Sequence, residues 1–217
     1  MSRNFLADAI VFDLDGVLVD SMPAIRATWS EWARERGLAS DAVLGAIHLT
    51  AEELVHRFAP ALDAAAEARA IARRQIGYET AVAALDGSRE LVQRLPQQSW
   101  AVVTSGRREL ALRHLALGGL PRPEVLVTAE DTPRGKPDPA GYLLAARRLA
   151  VEARRCIAVE DSPAGVRAAR SAGMIVFAMT STHRASDLAE AHAVLESLAQ
   201  IAVTVEPSGA LSVCIDP

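Results

Sequence analysis

Short β-type apolar runs recur along the chain with helix-patterned stretches between them, and this alternation limits the architecture more than any other feature. The runs are Ala9–Phe12, Trp100–Thr104, Val125–Thr128, Cys156–Glu160 and Met174–Met179. Helical periodicity marks Glu90–Leu95, Arg108–Leu117, Pro139–Val151 and Pro163–Ala172. Strands alternating with helices imply βαβ units on a parallel sheet, hence an α/β fold. Asp138-Pro139 and Ser162-Pro163 read as N-caps with proline in the first helical turn. Met22–Leu85 departs from the pattern: it is rich in Ala, Arg and Glu, has no convincing strand and shows several amphipathic helices. Its "TAEE" at Thr50–Glu53 fits a capping box, and "SMP" opens the helix carrying Trp29 and Trp32. A wholly helical piece after the first strand reads as an inserted cap over 19–86, with a core built from 1–18 and 87–217. Asp86-Gly87 is a turn signal at the return point, and "EPSG" at Glu206–Gly209 predicts a terminal hairpin.

At 217 residues, half of them apolar, the chain can bury one generous core plus a smaller insert. A net charge of −4 argues against a nucleic-acid partner, which calls for a basic stripe. Cys156 and Cys214 are too few and too scattered for a disulfide framework or a zinc site, and suit a reducing compartment. The N-terminus reaches acidic residues before a signal-peptide apolar region could form, and no apolar run approaches a membrane span. A soluble cytoplasmic protein with no membrane partner is expected.

In open parallel sheets, ligands bind beyond the carboxyl ends of the strands. Four places satisfy that rule: Asp13 with Asp15, then Thr104-Ser105-Gly106, then Gly135-Lys136-Pro137 in a loop, then Glu160-Asp161. Singly, each has an ordinary structural reading, such as a helix cap at Thr104 or Ser162 or a solvated loop lysine. Together they form a complementary set for phosphoryl transfer. A carboxylate can attack phosphorus and divide one hard displacement into two easier ones, while a second carboxyl protonates the leaving alkoxide and then activates water. Asp13 and Asp15 fit these roles if the chain curls back after the strand, which Gly16 permits. Mg²⁺ would relieve the repulsion among the carboxylates, with Asp161 and neighbouring Glu160 on the second side of its site. Lys136, the Thr104 hydroxyl and backbone N–H groups near Ser105 and Gly106 would meet the phosphate charge.

These residues resemble the haloacid dehalogenase-like phosphohydrolases, whose four motifs stand here as "DLDGVLVDS", "VVTSG", "GKPDP" and "VEDSPAG", spanning Asp13 to Gly165. The resemblance implies a Rossmann-like core with a small helical cap of the C1 type. It assigns Asp13 as nucleophile, Asp15 as general acid/base, Thr104 as phosphate-binding hydroxyl and Lys136 as the orienting cation. The phosphate would contact Asp13, Leu14, Asp15, Thr104, Ser105, Gly106 and Lys136. The metal would be held by Asp13, the Asp15 carbonyl and Asp161, with Glu160 close by.

Asp15 speaks against haloalkanoate dehalogenation, because halide needs no proton, and Met22–Leu85 lacks the lysine required for phosphonate cleavage. The motifs look most like phosphatases of small sugar and glycerol phosphates, acting on a small phosphorylated metabolite as a monomer or weak homodimer. The rivals are a mutase of the β-phosphoglucomutase type and a non-catalytic metabolite-binding relative. The cap loop departs from its relatives: it reads "AIHLTAEE", without the usual arginine after His48. His48 either faces substrate or packs at the cap–core seam. Arg57, Arg73, Arg74, Arg107 and His183 are further specificity candidates.

Overall fold

The five apolar runs, joined by one unexpected edge strand at Ala193–Leu195, form a six-stranded sheet in which every pairing is parallel. The computed structural model describes residues 2–77 and 82–216. In the sheet the order is β6 (Val125–Val127), β5 (Trp100–Val103), β2 (Ala9–Phe12), β7 (Cys156–Glu160), β8 (Ile175–Met179) and β9 (Ala193–Leu195). β2 and β7 lie at its centre and are buried along their whole length.

Side-chain alternation divides the core between the two faces of the sheet. Ile10 and Phe12 point to one side, where they join Trp100, Leu115 and Phe177. Ala9 and Val11 point to the other, where small residues such as Ala145, Ala146, Ala168 and Ala169 let two helices close on the sheet. These helices are α7 (Ala140–Arg148) and α8 (Pro163–Ser171). On the first side, Phe12 and Trp100 meet edge to face at 6.4 Å, within the range where aromatic pairs add to area burial.

The chain leaves the sheet through β3 (Val19–Asp20) into α1 (Met22–Glu35), α2 (Ser40–Leu44), α3 (Ala51–Phe58) and α4 (Ala64–Ile76). It returns through β4 (Ala83–Ala84), α5 (Ser88–Arg94) and, after β5, α6 (Arg108–Leu117). The expectation of no strand within Met22–Leu85 is corrected by β4, which pairs antiparallel with β3 and makes a short ribbon at the root of the insert. Two residues are too few to show periodicity in a sequence. Residues 78–81, inside the expected insert, lie outside the described residues.

The insert has an apolar cluster of its own around Trp29, Trp32, Val43, Leu54 and Ile71. Glu67 accepts from Trp32 Nε1 at 2.8 Å and pairs with Arg36 at 2.5 Å, fastening α4 to α1. The Thr50–Glu53 capping box is present at the start of α3. Ser162 caps α8 as expected, whereas α7 begins at Ala140, with Pro139 at its N-cap and Asp138 accepting from the Ala140 N–H.

The expected terminal hairpin is β10 (Ile201–Val205) with β11 (Leu211–Ile215), and an unexpected β1 (Arg3–Ala7) adds to it on the far side of β11. Among the described residues no helix is long and apolar enough to cross a membrane, and both cysteines are free.

Candidate active site

One cavity of about 580 Å³ lies between the carboxyl ends of the strands and the helical insert. Asp13, Asp15, Thr104, Lys136 and Asp161 all line it, with Ser105 and Gly106 beside them and His48 facing from the insert. Leu14 and Glu160 do not; both side chains are fully buried.

The first motif is shaped by its main chain. Asp13 stays in line with β2, its N–H donating to Val159 O at 2.9 Å. The chain then turns, with Gly16 N–H bonded to Val19 O at 2.8 Å and Leu18 N–H to Leu14 O at 2.9 Å. Gly16 has φ of 87°, and a Cβ there would overlap the Asp161 carboxylate, so glycine alone lets the two loops approach.

Lys136 is the sole lysine of the sequence, in a chain that otherwise uses arginine for positive charge. Its buried Nζ sits between Asp13 Oδ1, at 2.5 Å, and Glu160 Oε1. Burial disfavours the ammonium, but Asp13 and Glu160 more than offset this and hold Lys136 charged. Glu160 is saturated by its neighbours. Oε1 also accepts from Tyr142 Oη at 2.5 Å, while Oε2 accepts from the Asp161 and Ser162 N–H groups and from Ser162 Oγ. Burial raises the Glu160 carboxyl, and these partners bring it below its ordinary range. Gly165 makes room for it, since a Cβ there would overlap the Glu160 carboxylate.

Asp13, Glu160 and Asp161 bring ligand oxygens within 4.8 Å of one another. Burial pushes the Asp13 carboxyl well above its usual range; Lys136 pulls it back, and Glu160, Asp161 and Asp15 add to the rise. Burial, with Glu160 alongside, pushes Asp161 up to about 7. Negative charge is thus concentrated beyond what one ammonium balances. The Asp13 and Asp161 carboxylates, which line the cavity, fit a hard divalent cation.

Asp15 has a different environment. Its Oδ1 accepts from Ser21 Oγ at 2.5 Å and lies 2.8 Å from His114 Nδ1; its Oδ2 accepts from Thr104 Oγ1 at 3.2 Å. Burial raises its carboxyl, but His114, Ser21 and Thr104 outweigh this and hold it below the ordinary value.

Several expectations are refined by the contacts. α6 begins at Arg108, beyond Ser105 and Gly106, and the Gly106 N–H already donates to Thr104 Oγ1 at 3.0 Å. Ser105 Oγ donates to His48 O at 3.1 Å, so His48 holds the seam with its main chain while its ring lines the cavity. Glu53, part of the capping box, also accepts from the Gly135 N–H at 3.0 Å, tying the insert to the Lys136 loop. Of the other specificity candidates, Arg107 and His183 line the cavity, whereas Arg57, Arg73 and Arg74 do not.

Arg26, Asp41, Gln75, Ser181 and Thr182 line it without having been expected, and Ser21 and His114 reach Asp15 from behind. His114 carried one readable signal. With Leu110, Ala111 and Leu115 it occupies the buried stripe of α6, where a polar residue needs a partner.

A family model described as haloacid dehalogenase-like hydrolase matches residues 7–173. Hexitol phosphatase A of Escherichia coli (strain K12) is 42% identical over 205 residues, covering 92% of this chain and 95% of that protein. Validoxylamine A 7'-phosphate phosphatase of Streptomyces hygroscopicus subsp. limoneus is 36% identical over 210 residues, covering 88% of this chain and 94% of that protein. Among solved structures, a hydrolase from Pseudomonas syringae superposes with a TM-score of 0.78 at 25% identity, covering 88% of this chain and 93% of that one.

Proposed function

The chain belongs to the haloacid dehalogenase-like hydrolase family, and on that footing we propose that it is a Mg²⁺-dependent phosphatase of a small sugar or polyol phosphate. The observation that carries this reading is the buried Asp13–Lys136 pair, which shares its cavity with Asp15, Thr104 and Asp161. Relatives named for hexitol phosphate and validoxylamine A 7'-phosphate support a polyhydroxylated substrate.

Asp13 is the nucleophile. Its carboxylate oxygen forms a bond to phosphorus as the bond from phosphorus to the alkoxide breaks, and the leaving oxygen takes a proton from Asp15. Water then gives a proton to Asp15 and its oxygen attacks phosphorus. The bond to Asp13 breaks, which restores the carboxylate and releases inorganic phosphate. Lys136 holds Asp13 in place and meets the phosphate charge, and Thr104, lining the same cavity, can turn its hydroxyl from Asp15 to that group. Asp13, Asp161 and the Asp15 carbonyl are the proposed metal ligands. When bound, the cation supplies charge balance for the clustered carboxylates and the incoming phosphate. Because both Glu160 oxygens are already engaged, we assign it to anchoring Lys136 rather than to the metal.

The helical insert acts as a cap over 19–86 that covers the cavity and excludes water. Gln75 on α4 supports recognition of hydroxyls: it is about nine-tenths buried and lines the cavity, and its side-chain amide makes no hydrogen bond among the described residues. The free cysteines fit a cytoplasmic enzyme, and a monomer or weak homodimer suffices, because the proposed residues all come from one chain.

The test is phosphate release from hexitol phosphates, with Mg²⁺ and with a chelator, by the wild type and by Asp13→Asn. Metal-dependent release abolished in the variant is expected. Turnover near wild type in Asp13→Asn refutes the mechanism, and isomerised sugar phosphate without released phosphate would establish the mutase instead.

A further inference from the structure

Asp15 meets the protein through both carboxylate oxygens, but the two sides differ. Thr104, which bonds Oδ2, lines the cavity. Ser21 and His114, which bond Oδ1, do not, and their exposures are 0% and 2%. Oδ1 is therefore tied on the side away from the cavity, leaving Oδ2 to face it.

The terminal torsion of a carboxylate is soft, so its plane is set by its hydrogen bonds, here one at Oδ2 and two at Oδ1. Ser21 lies at the N-cap of α1 yet makes no side-chain cap bond there; its hydroxyl is spent on Asp15. His114 adds a contact from α6, an element that supplies none of the motif residues.

We infer that His114 is a positioning residue for the proposed acid/base: by binding Oδ1 it fixes the plane of Asp15 and presents Oδ2 to the leaving oxygen and then to water. This rests on the phosphatase reading, in which Asp15 exchanges the proton. His114 itself touches no reacting atom.

The experiment separates protonation from the rest of catalysis. An alkyl phosphate needs a proton on its departing oxygen, whereas p-nitrophenolate leaves without one. kcat/KM reports events up to the first irreversible step, so the comparison isolates formation of the phosphoenzyme. His114→Leu is predicted to lower kcat/KM for a hexitol phosphate by roughly a hundredfold, in the range for lost acid–base catalysis, while p-nitrophenyl phosphate stays within about threefold. His114→Asn, whose amide N–H can stand near the place of Nδ1, should recover most of the loss.

Parallel loss on both esters, no loss on either, or no recovery with asparagine would overturn the inference while the phosphatase reading stands. A wild-type chain that cleaves neither ester would overturn that reading and this inference with it.

Discussion

Replacing Glu160 with glutamine keeps the shape of the side chain but removes its charge and one acceptor. The wild-type carboxylate faces donors at both oxygens: Lys136 Nζ and Tyr142 Oη at Oε1, two main-chain N–H groups and Ser162 Oγ at Oε2. A glutamine can place its carbonyl at only one of these ends. With the carbonyl toward Lys136, its NH₂ confronts the Asp161 and Ser162 N–H groups, each unpaired buried donor costing about 1–3 kcal/mol. With the carbonyl reversed, NH₂ meets the buried ammonium, and breaking a buried pair from one side costs about 3–5 kcal/mol. Ser162 and Tyr142 can rotate their hydroxyls, but the backbone groups and Lys136 cannot. The expected loss is thus about 3 kcal/mol or more, corresponding to a fall in Tm of roughly 6–12 °C for a chain of this size. Urea unfolding in chelator, with the m-value unchanged, measures it at equilibrium. kcat should fall as well, since Lys136 loses its second anchor. A destabilisation below about 1 kcal/mol would refute the reasoning, because it would mean that Glu160 is not the organising acceptor of this cluster.

Two further outcomes follow from other parts of the molecule. Burial opposes ionisation of Asp131, but bonds from Arg148 and Thr128 hold its carboxyl at about 2 in the folded chain, below its ordinary 3.8. A depressed carboxylate stabilises above its unfolded value and loses that contribution as pH falls toward the folded one. The urea-midpoint gap between wild type and Asp131→Asn should therefore be widest near neutrality and close as pH falls from about 4 toward about 2; a gap independent of pH contradicts this. Gln75→Leu should raise KM for a hexitol phosphate about five- to tenfold, the worth of one hydrogen bond, and leave p-nitrophenyl phosphate unchanged. Equal effects on both esters would remove Gln75 from hydroxyl recognition.

Local signals were enough to read the parallel sheet and the proposed chemistry from the sequence. β2, β5, β6, β7 and β8 announce themselves as short apolar runs, and a parallel sheet puts their carboxyl ends at one edge. Asp13, Thr104, Lys136 and Asp161 follow from that rule and do meet in one cavity. What escaped depends on long-range pairing. β1 is held by β11, with Asn4 opposite Cys214 at the other end of the chain, and nothing near Asn4 signals this partner. β4 is two residues long and exists through β3. Ser21 looked like a helix cap because its neighbours are right for one, yet its hydroxyl goes to Asp15. The lone lysine among arginines was the strongest unread clue to Lys136. A compact ammonium suits a slot between Asp13 and Glu160 that a planar guanidinium would not fill in the same way.

The central claim is that Asp13 carries the phosphoryl group during turnover. An acyl-phosphate is reduced by borohydride to an alcohol, so a turnover mixture with a hexitol phosphate and Mg²⁺, quenched with borohydride, should yield homoserine at position 13. Peptide mass spectrometry should find that product there, and not at Asp15 or Asp161; in substrate-free controls it should be absent. Phosphate release at full rate with no homoserine at position 13 would contradict the account.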